Sequence, residues 1–347
     1  LNAWFICDEV SMVSVEDLGI MSSWQAVGAR FIFVGDFDGQ LLPFIDRWSD
    51  DRDVQSSQLM NKLCGGTHVH LEVYRRGTDP ELFRFYTALY GSDKTNAAGA
   101  VWSAVRQGLS KYAWDGTLPE VCLALSHKTR IKVNKLLNER AALAVEAKGQ
   151  ETWQLVAPLK CSGVAMQPQD FKLWVGQELL GCTRGREKKV LNAVTYRVVD
   201  ITGDQVRLIV GEEFQKTKSE TNTNDILKPK MDDNAEDYKE PGESDEDENE
   251  LTLSLEEVAK LMRPTHCLVY YTAQGRTLRD KKLLLLDVTA KYFTLRHFIV
   301  GVSRVTAGDK YLCIASAQQQ EELMRQESVV IRANPINMRF SDCDFTK

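Results

Sequence analysis

Two short runs of unbroken apolar residues constrain this chain most, because each ends abruptly in acid. Ala3-Trp4-Phe5-Ile6-Cys7 runs into Asp8-Glu9, and Phe31-Ile32-Phe33-Val34 runs into Gly35-Asp36. An apolar run without alternation predicts a strand buried on both faces, the condition of a parallel sheet. Between the runs, Ser14 stands as an N-cap before Val15-Glu16-Asp17, with acids in the first turn. Leu18, Met21 and Val27 give that helix an apolar side. Strand, helix, strand in so little chain is a βαβ unit. Both acidic tips then share the carboxyl edge of the sheet, where such folds bind ligands.

The remaining chain alternates apolar runs with helical patterns. Residues 69–73 predict a third strand, ending at Tyr74-Arg75-Arg76, and Asp79-Pro80 caps and opens a helix bearing Leu82, Phe83, Phe85, Tyr86 and Leu89. A boundary near Gly116 to Pro119 divides a first domain, 1–117, from a second, 118–347. The second opens with a strand at 121–125 and a helix at 130–144 with Ile131, Leu136, Leu137 and Leu143 as its core face. Between 153 and 214 the texture becomes short β-like pieces at 172–175, 193–199 and 205–210, set off by turns such as Thr202-Gly203-Asp204. That spacing predicts a small β-barrel inserted into the second domain. Residues 251–262 read as a helix, and 267–271, 282–288, 298–300 and 311–314 as strands that complete the second sheet.

Composition sets outer limits. A hydrophobic content of 43% over 347 residues supports real cores. No uninterrupted apolar run reaches the roughly 18 residues of a membrane span, and residues 1–7 lack the form of a signal peptide. The expected setting is intracellular, nuclear or cytoplasmic. Eight cysteines without a C-x-x-C spacing predict buried thiols in a reducing compartment, not disulfides or zinc. The net charge of −6 is unevenly spread: residues 220–250 hold 13 acids against 3 bases, a net of −10, which leaves +4 elsewhere. An acidic stretch at 216–250, expected to be a disordered loop, thus hangs on a mildly basic body compatible with nucleic acid.

The chemistry-bearing residues sit at strand ends. Asp8-Glu9 has the form of a Walker B element, in which the Asp holds a nucleotide-bound Mg2+ and the Glu orients or deprotonates the attacking water. On the dipeptide alone a solvated acidic turn is the better reading. The next element changes the balance: Gly35-Asp36 is followed by Gln40-Leu41-Leu42-Pro43 just past the second strand.

Taken together these segments resemble the motifs of a superfamily 1 DNA helicase of the RecD/Pif type. Asp8-Glu9-Val10-Ser11-Met12 is similar to motif II, and Gly35-Asp36 through Gln40-Leu41-Leu42-Pro43 to motif III, with Leu42 where the first proline usually stands. Leu71-Glu72-Val73-Tyr74-Arg75 resembles motif IV. Tyr271-Thr272-Ala273-Gln274-Gly275-Arg276-Thr277-Leu278 resembles motif V, with Tyr271-Thr272 replacing the usual His-Lys, and Phe298 through Arg304 and Val305 resembles motif VI. The five elements follow the family's order over almost the whole chain.

The resemblance implies an α/β fold of two RecA-like parallel-sheet domains, the first incomplete, with the small inserted barrel lying against the translocated strand. It implies an ATP-dependent helicase or translocase on single-stranded DNA or DNA junctions, moving 5′ to 3′, with ATP and Mg2+ as cofactors. Asp8, Glu9, Gln40, Arg75 and Arg304 are its candidate catalytic residues, with Asp8 holding the Mg2+ through the nucleotide and Arg76 as the alternative to Arg75. Gly35, Asp36, Gln274 and Gly275 join them around the nucleotide. Thr272, Thr277 and His127 are candidate contacts to the nucleic acid.

One required part is missing. A triphosphate needs a glycine-rich lysine loop, G-x-x-x-x-G-K followed by Ser or Thr, and no such string occurs. The first residue is Leu, and the expectation is that the loop lies upstream and that these residues alone do not hydrolyse ATP at an appreciable rate. The rival expectation is a non-catalytic nucleic-acid-binding or scaffold remnant of a helicase; a nucleic-acid-stimulated ATPase without unwinding is a third.

Overall fold

The computed structural model of the protein describes residues 3–41, 54–71, 73, 75–91, 93–158, 162–183, 190–211 and 250–325, the side chains of 93–97 excepted. Leu42, Pro43, Glu72, Tyr74 and the acidic stretch as far as Asn249 lie outside these residues. The fold is mixed α/β with parallel sheets. It divides into two compact units: one runs from the start of the chain to Arg130 and resumes at Leu268, and the other spans Ile131–Cys267. In chain order the strands are β1 (Trp4–Cys7), β2 (Arg30–Phe33), β3 (Val121–Ala124), β4 (Trp153–Leu155), β5 (Phe171–Leu173), β6 (Glu178–Gly181), β7 (Thr195–Thr202), β8 (Gln205–Val210), β9 (Glu250–Ser254), β10 (Met262–Pro264), β11 (Cys267–Val269), β12 (Leu283–Leu285) and β13 (Leu312–Ile314).

In the first unit β1 and β2 pair in parallel, with Phe5 opposite Phe31 and Cys7 opposite Phe33. The helix between them, Val15–Ala26, begins where Ser14 Oγ accepts the Asp17 N–H at 3.0 Å. Its Leu18 is buried with Val10, Ala29, Phe31, Met60 and Leu63 on one face of the sheet, and Met21 packs beside them. Val27 falls past the helix end and is exposed. Among the described residues nothing covers the opposite face of this sheet: Trp4 and Ile6 are 61% and 73% exposed, and Ile32 and Val34 stand out beside them. The third strand expected at 69–73 does not form among the described residues. Val69, Leu71 and Val73 are exposed, and the β1–β2 sheet has two strands only. A strand exists only where a neighbour takes up its backbone donors and acceptors, and among the described residues this run pairs with none.

The second sheet of the unit runs β11-β3-β12-β13. Leu284 of the central β12 lies opposite Cys122 and Cys313, and every residue of the four strands is buried. Helix Leu295–Val302 packs on it so closely that a Cβ on Gly301 would come within 2.9 Å of Leu285 Cδ2 and Tyr270 Cε1. The run 298–300, read as a strand from its unbroken apolar character, is the middle of this helix. Phe298, Ile299 and Val300 are buried, a state that suits helix and strand alike, and the end signal decides between them. Thr294 and His297 form a capping box, with Thr294 N–H on His297 Nδ1 at 3.2 Å, and that fixes a helix start.

The second unit is antiparallel. Its five-stranded sheet runs β10-β6-β7-β8-β9, beside a β4–β5 pair. The turn at Gly203, with φ at 59°, joins β7 to β8. Leu173, Leu179, Tyr196, Val206, Leu208 and Leu253 share its core. Residues 251–254, expected to be helical, form β9 against β8. A capping box at Ser254 and Glu257 then starts the helix Leu255–Leu261. Arg263 is buried and donates to the carbonyls of Met166, Gln167, Ala259 and Lys260, so its charge is met by main-chain dipoles. Among the described residues no helix is long and apolar enough to cross a membrane.

Candidate functional site

The acidic tips of β1 and β2 meet directly. Val10 N–H donates to Val34 O at 3.0 Å, and a Cβ on Gly35 would lie 2.9 Å from Val10 Cγ1 and 3.0 Å from Val10 N. Only a residue without a side chain lets the two loops touch here. Glu9 has a left-handed backbone, φ 55°, and its N–H donates to Asp8 Oδ1 at 2.8 Å. A non-glycine residue rarely adopts that conformation, and the surrounding bonds hold it there. Asp8 is exposed at the strand tip and Glu9 is half-buried.

The loop after β2 is organised by its own side chains. Asp36 Oδ1 accepts the N–H groups of Asp38 at 3.0 Å and Gly39 at 2.8 Å, and Oδ2 accepts the Tyr90 hydroxyl at 2.7 Å. Burial, with the Asp36 carboxylate second, raises the Tyr90 pKa far above that of an ordinary phenol, so Tyr90 remains a donor. Gln40 reaches back: its Oε1 accepts the Ser11 hydroxyl at 2.5 Å and the Asp36 N–H at 3.0 Å. The carboxamide thereby rests on both acidic-tip loops.

The far stretch of the same unit arrives from the other side. Gln274 is buried; its Oε1 accepts the Leu41 N–H at 3.0 Å and its Nε2 donates to Glu9 Oε2 at 3.2 Å. Gly275, φ 77°, lies so close that a Cβ on it would stand 3.3 Å from Glu9 Oε1. Arg304 is buried behind this loop. Its Nε donates to Val300 O at 2.9 Å, Nη1 to Arg276 O at 3.1 Å, and Nη2 to Ser303 Oγ at 2.8 Å. Burial, then the Arg76 guanidinium, lowers its pKa to about 9, with Glu9 opposing, so it stays charged at neutral pH. Arg76 is half-buried and donates through Nη1 to Ser303 O at 3.0 Å.

Glu9, Gly35, Asp36, Gln40, Gln274, Gly275 and Arg304 are therefore brought together, with Asp8 at the rim. Of the two candidate arginines after residue 73, Arg76 joins the cluster and Arg75 is exposed. Thr272 and Thr277 are half-buried and flank the Gln274-Gly275 loop, whereas His127 is exposed on another element and accepts from Arg130 Nε. Ser11, Tyr90 and Arg296 also shape the site; nothing in the spacing of Tyr90 or Arg296 announces it. Among the described residues no three His, Cys, Asp or Glu side chains gather closely enough to hold a metal by themselves. Asp8 suits an ion that arrives on a phosphate and keeps most of its waters. A carboxylate bonded to the Gln274 carboxamide, with the charge of Arg304 acting on it from behind the loop, can orient water toward a phosphate.

No protein-family model matches the sequence, and no curated protein matches it. Solved structures do. The chain is similar to a Pif1 helicase from Candida albicans, with 15% identity over 94% of this chain and 76% of that one, at a TM-score of 0.47. It is similar to a Pif1 from Bacteroides in complex with ADP-AlF3 and single-stranded DNA, with 14% identity over 95% and 76% and a TM-score of 0.45. A structure of two coordinating Pif1 helicases on forked double-stranded DNA gives 13% identity over 96% and 75% with a TM-score of 0.49.

Proposed function

We propose that the chain is the motor portion of a superfamily 1 helicase of the RecD/Pif type, coupling ATP hydrolysis to 5′-to-3′ movement along single-stranded DNA. The observation that carries this is the meeting of Glu9, Gln274 and Gly275, which the sequence separates by more than 260 residues, beside Arg76 and Arg304. In this reading Glu9 orients the attacking water, and Gln40 senses the terminal phosphate through its bonds to Ser11 and Asp36. Arg76, and Arg304 from behind the Gln274-Gly275 loop, supply positive charge against the charge that develops there. Asp8 would hold a Mg2+ that arrives on the nucleotide, and that ion would neutralise charge at the phosphates. The strand would lie near Thr272 and Thr277, gripped through phosphates and stacked bases and therefore sensitive to salt.

The absence of the lysine loop from these residues favours a second reading, a binding remnant without turnover. Phosphate release from ATP, with and without an oligo-dT strand, separates the two in the protein expressed from its complete reading frame. The expected result is strand-stimulated turnover that falls about 100-fold or more in Glu9→Gln and in Arg304→Ala. The 347 residues alone should show no appreciable turnover. Turnover within tenfold of the parent in both variants overturns the proposal, and strand binding without any turnover selects the remnant.

A further inference from the structure

Arg296 is a charged side chain that this reading does not use. It occupies the second position of helix Leu295–Val302 and is half-buried. A cation in the first turn works against the helix dipole, so helix stability is not what it serves. Its guanidinium turns away from its own helix: Nη1 donates to Phe37 O at 2.5 Å and to Gln40 O at 2.8 Å.

The second contact has a consequence. The peptide group between Gln40 and Leu41 is held at both ends by side chains from the far stretch. Its carbonyl accepts from Arg296, and its N–H donates to Gln274 Oε1. A peptide unit is planar, so fixing its oxygen and its N–H fixes the plane and limits rotation at the Gln40 Cα. We propose that Arg296 is a positioning residue that sets the Gln40 carboxamide from the helix ending at Ser303-Arg304. Through it, displacement of that helix displaces Gln40. The significance of Gln40 rests on the helicase reading; the clamp itself does not.

The test reads the loop and not only turnover. Arg296→Met keeps the apolar stem and removes the donors. Amide exchange should quicken about tenfold at Leu41, bonded to Gln274, and at Asp36, bonded to Gln40 Oε1, since the loop that holds both loses roughly the worth of one net hydrogen bond from Arg296 to Gln40 O. In protein labelled with 15N-Gln, the Gln40 side-chain signal, identified by its loss in Gln40→Ala, should shift. The amides of Leu284 and Phe298 should keep their protection. Arg296→Lys keeps the charge without the planar fork and should restore part of the protection. Unchanged exchange at Asp36 and Leu41 in a folded Arg296→Met overturns the inference. If that variant fails to fold, parent-like exchange and Gln40 signal in Arg296→Lys overturn it. A loop that responds to Arg296→Met while Gln40→Ala leaves strand-stimulated turnover intact would retain the clamp and reject the phosphate-sensing role of Gln40; a loop that responds in a protein without strand-stimulated turnover would retain the clamp and reject the helicase reading.

Discussion

Strands β1 and β12 are both short unbroken apolar runs in parallel sheets, yet their surroundings are opposite. Leu283, Leu284 and Leu285 are fully buried, while Trp4 and Ile6 of β1 stand in solvent. The difference lies in cover. Helices Leu295–Val302 and Asp93–Lys111 close over the larger sheet, as the contacts of Gly301 and Gly108 record. Among the described residues the β1–β2 pair is covered on one face alone, by its helix and by the helix Gln58–Leu63. An unbroken apolar run therefore states a demand for cover on two faces; it does not say what supplies it.

The largest effect should come from deleting a side chain on each strand. Leu284→Ala should reduce the free energy of unfolding by about 2–5 kcal/mol, and Ile6→Ala by less than about 1 kcal/mol. Denaturant midpoints followed by circular dichroism measure both. Equal losses would break the comparison, because they would mean that the outer face of β1 is packed in solution.

Acid should separate the two sheets next. Burial holds the His297 pKa at about 4 against an ordinary 6.5. Above pH 6.5 the group contributes no pH dependence. As the pH falls from 6.5 toward 4 the unfolded chain binds a proton that the folded chain refuses, and stability declines by up to about 3 kcal/mol. His297→Gln should flatten that slope in denaturation series between pH 7 and 4. Under acid, exchange should rise at Leu285 and Phe298 before Phe31. An unchanged slope in the variant would assign the acid sensitivity elsewhere.

The two sheets also mark where sequence reasoning succeeds. Ser14 and Asp79 were readable as caps because a cap needs only its own next three residues; Asp79 Oδ1 accepts the N–H groups of Glu81 and Leu82. The acidic tips were readable because strand ends are local too. Residues 298–300 do not declare their helix, since burial in a helix and burial in a strand demand the same residues, and the run 69–73 does not declare whether it pairs, since pairing depends on partners far away. Arg75 and Arg76 are indistinguishable as a dipeptide; that Arg76 reaches the Ser303 carbonyl while Arg75 is exposed depends on a residue 227 positions away. Arg296 carries no signal at all, because its two acceptors are main-chain atoms that any sequence provides.

Two helix glycines give the finest measure of the same contrast. Gly108, in the helix over the larger sheet, leaves no room: a Cβ there would come within 2.7 Å of both Ile314 Cδ1 and Phe298 Cζ. Phe298 is fully buried and cannot swing aside, so Gly108→Ala should destabilise by about 1–3 kcal/mol despite alanine's better helix propensity. Gly19, in the helix under β1–β2, has nothing within 4 Å of that position and is exposed. Here propensity acts unopposed, and Gly19→Ala should stabilise by about 0.5–1 kcal/mol. Opposite signs in the two midpoints would place Gly108 in a packed contact and Gly19 on an open helix face. A loss at Gly19 would instead mean that something in solution already presses against the outside of that helix.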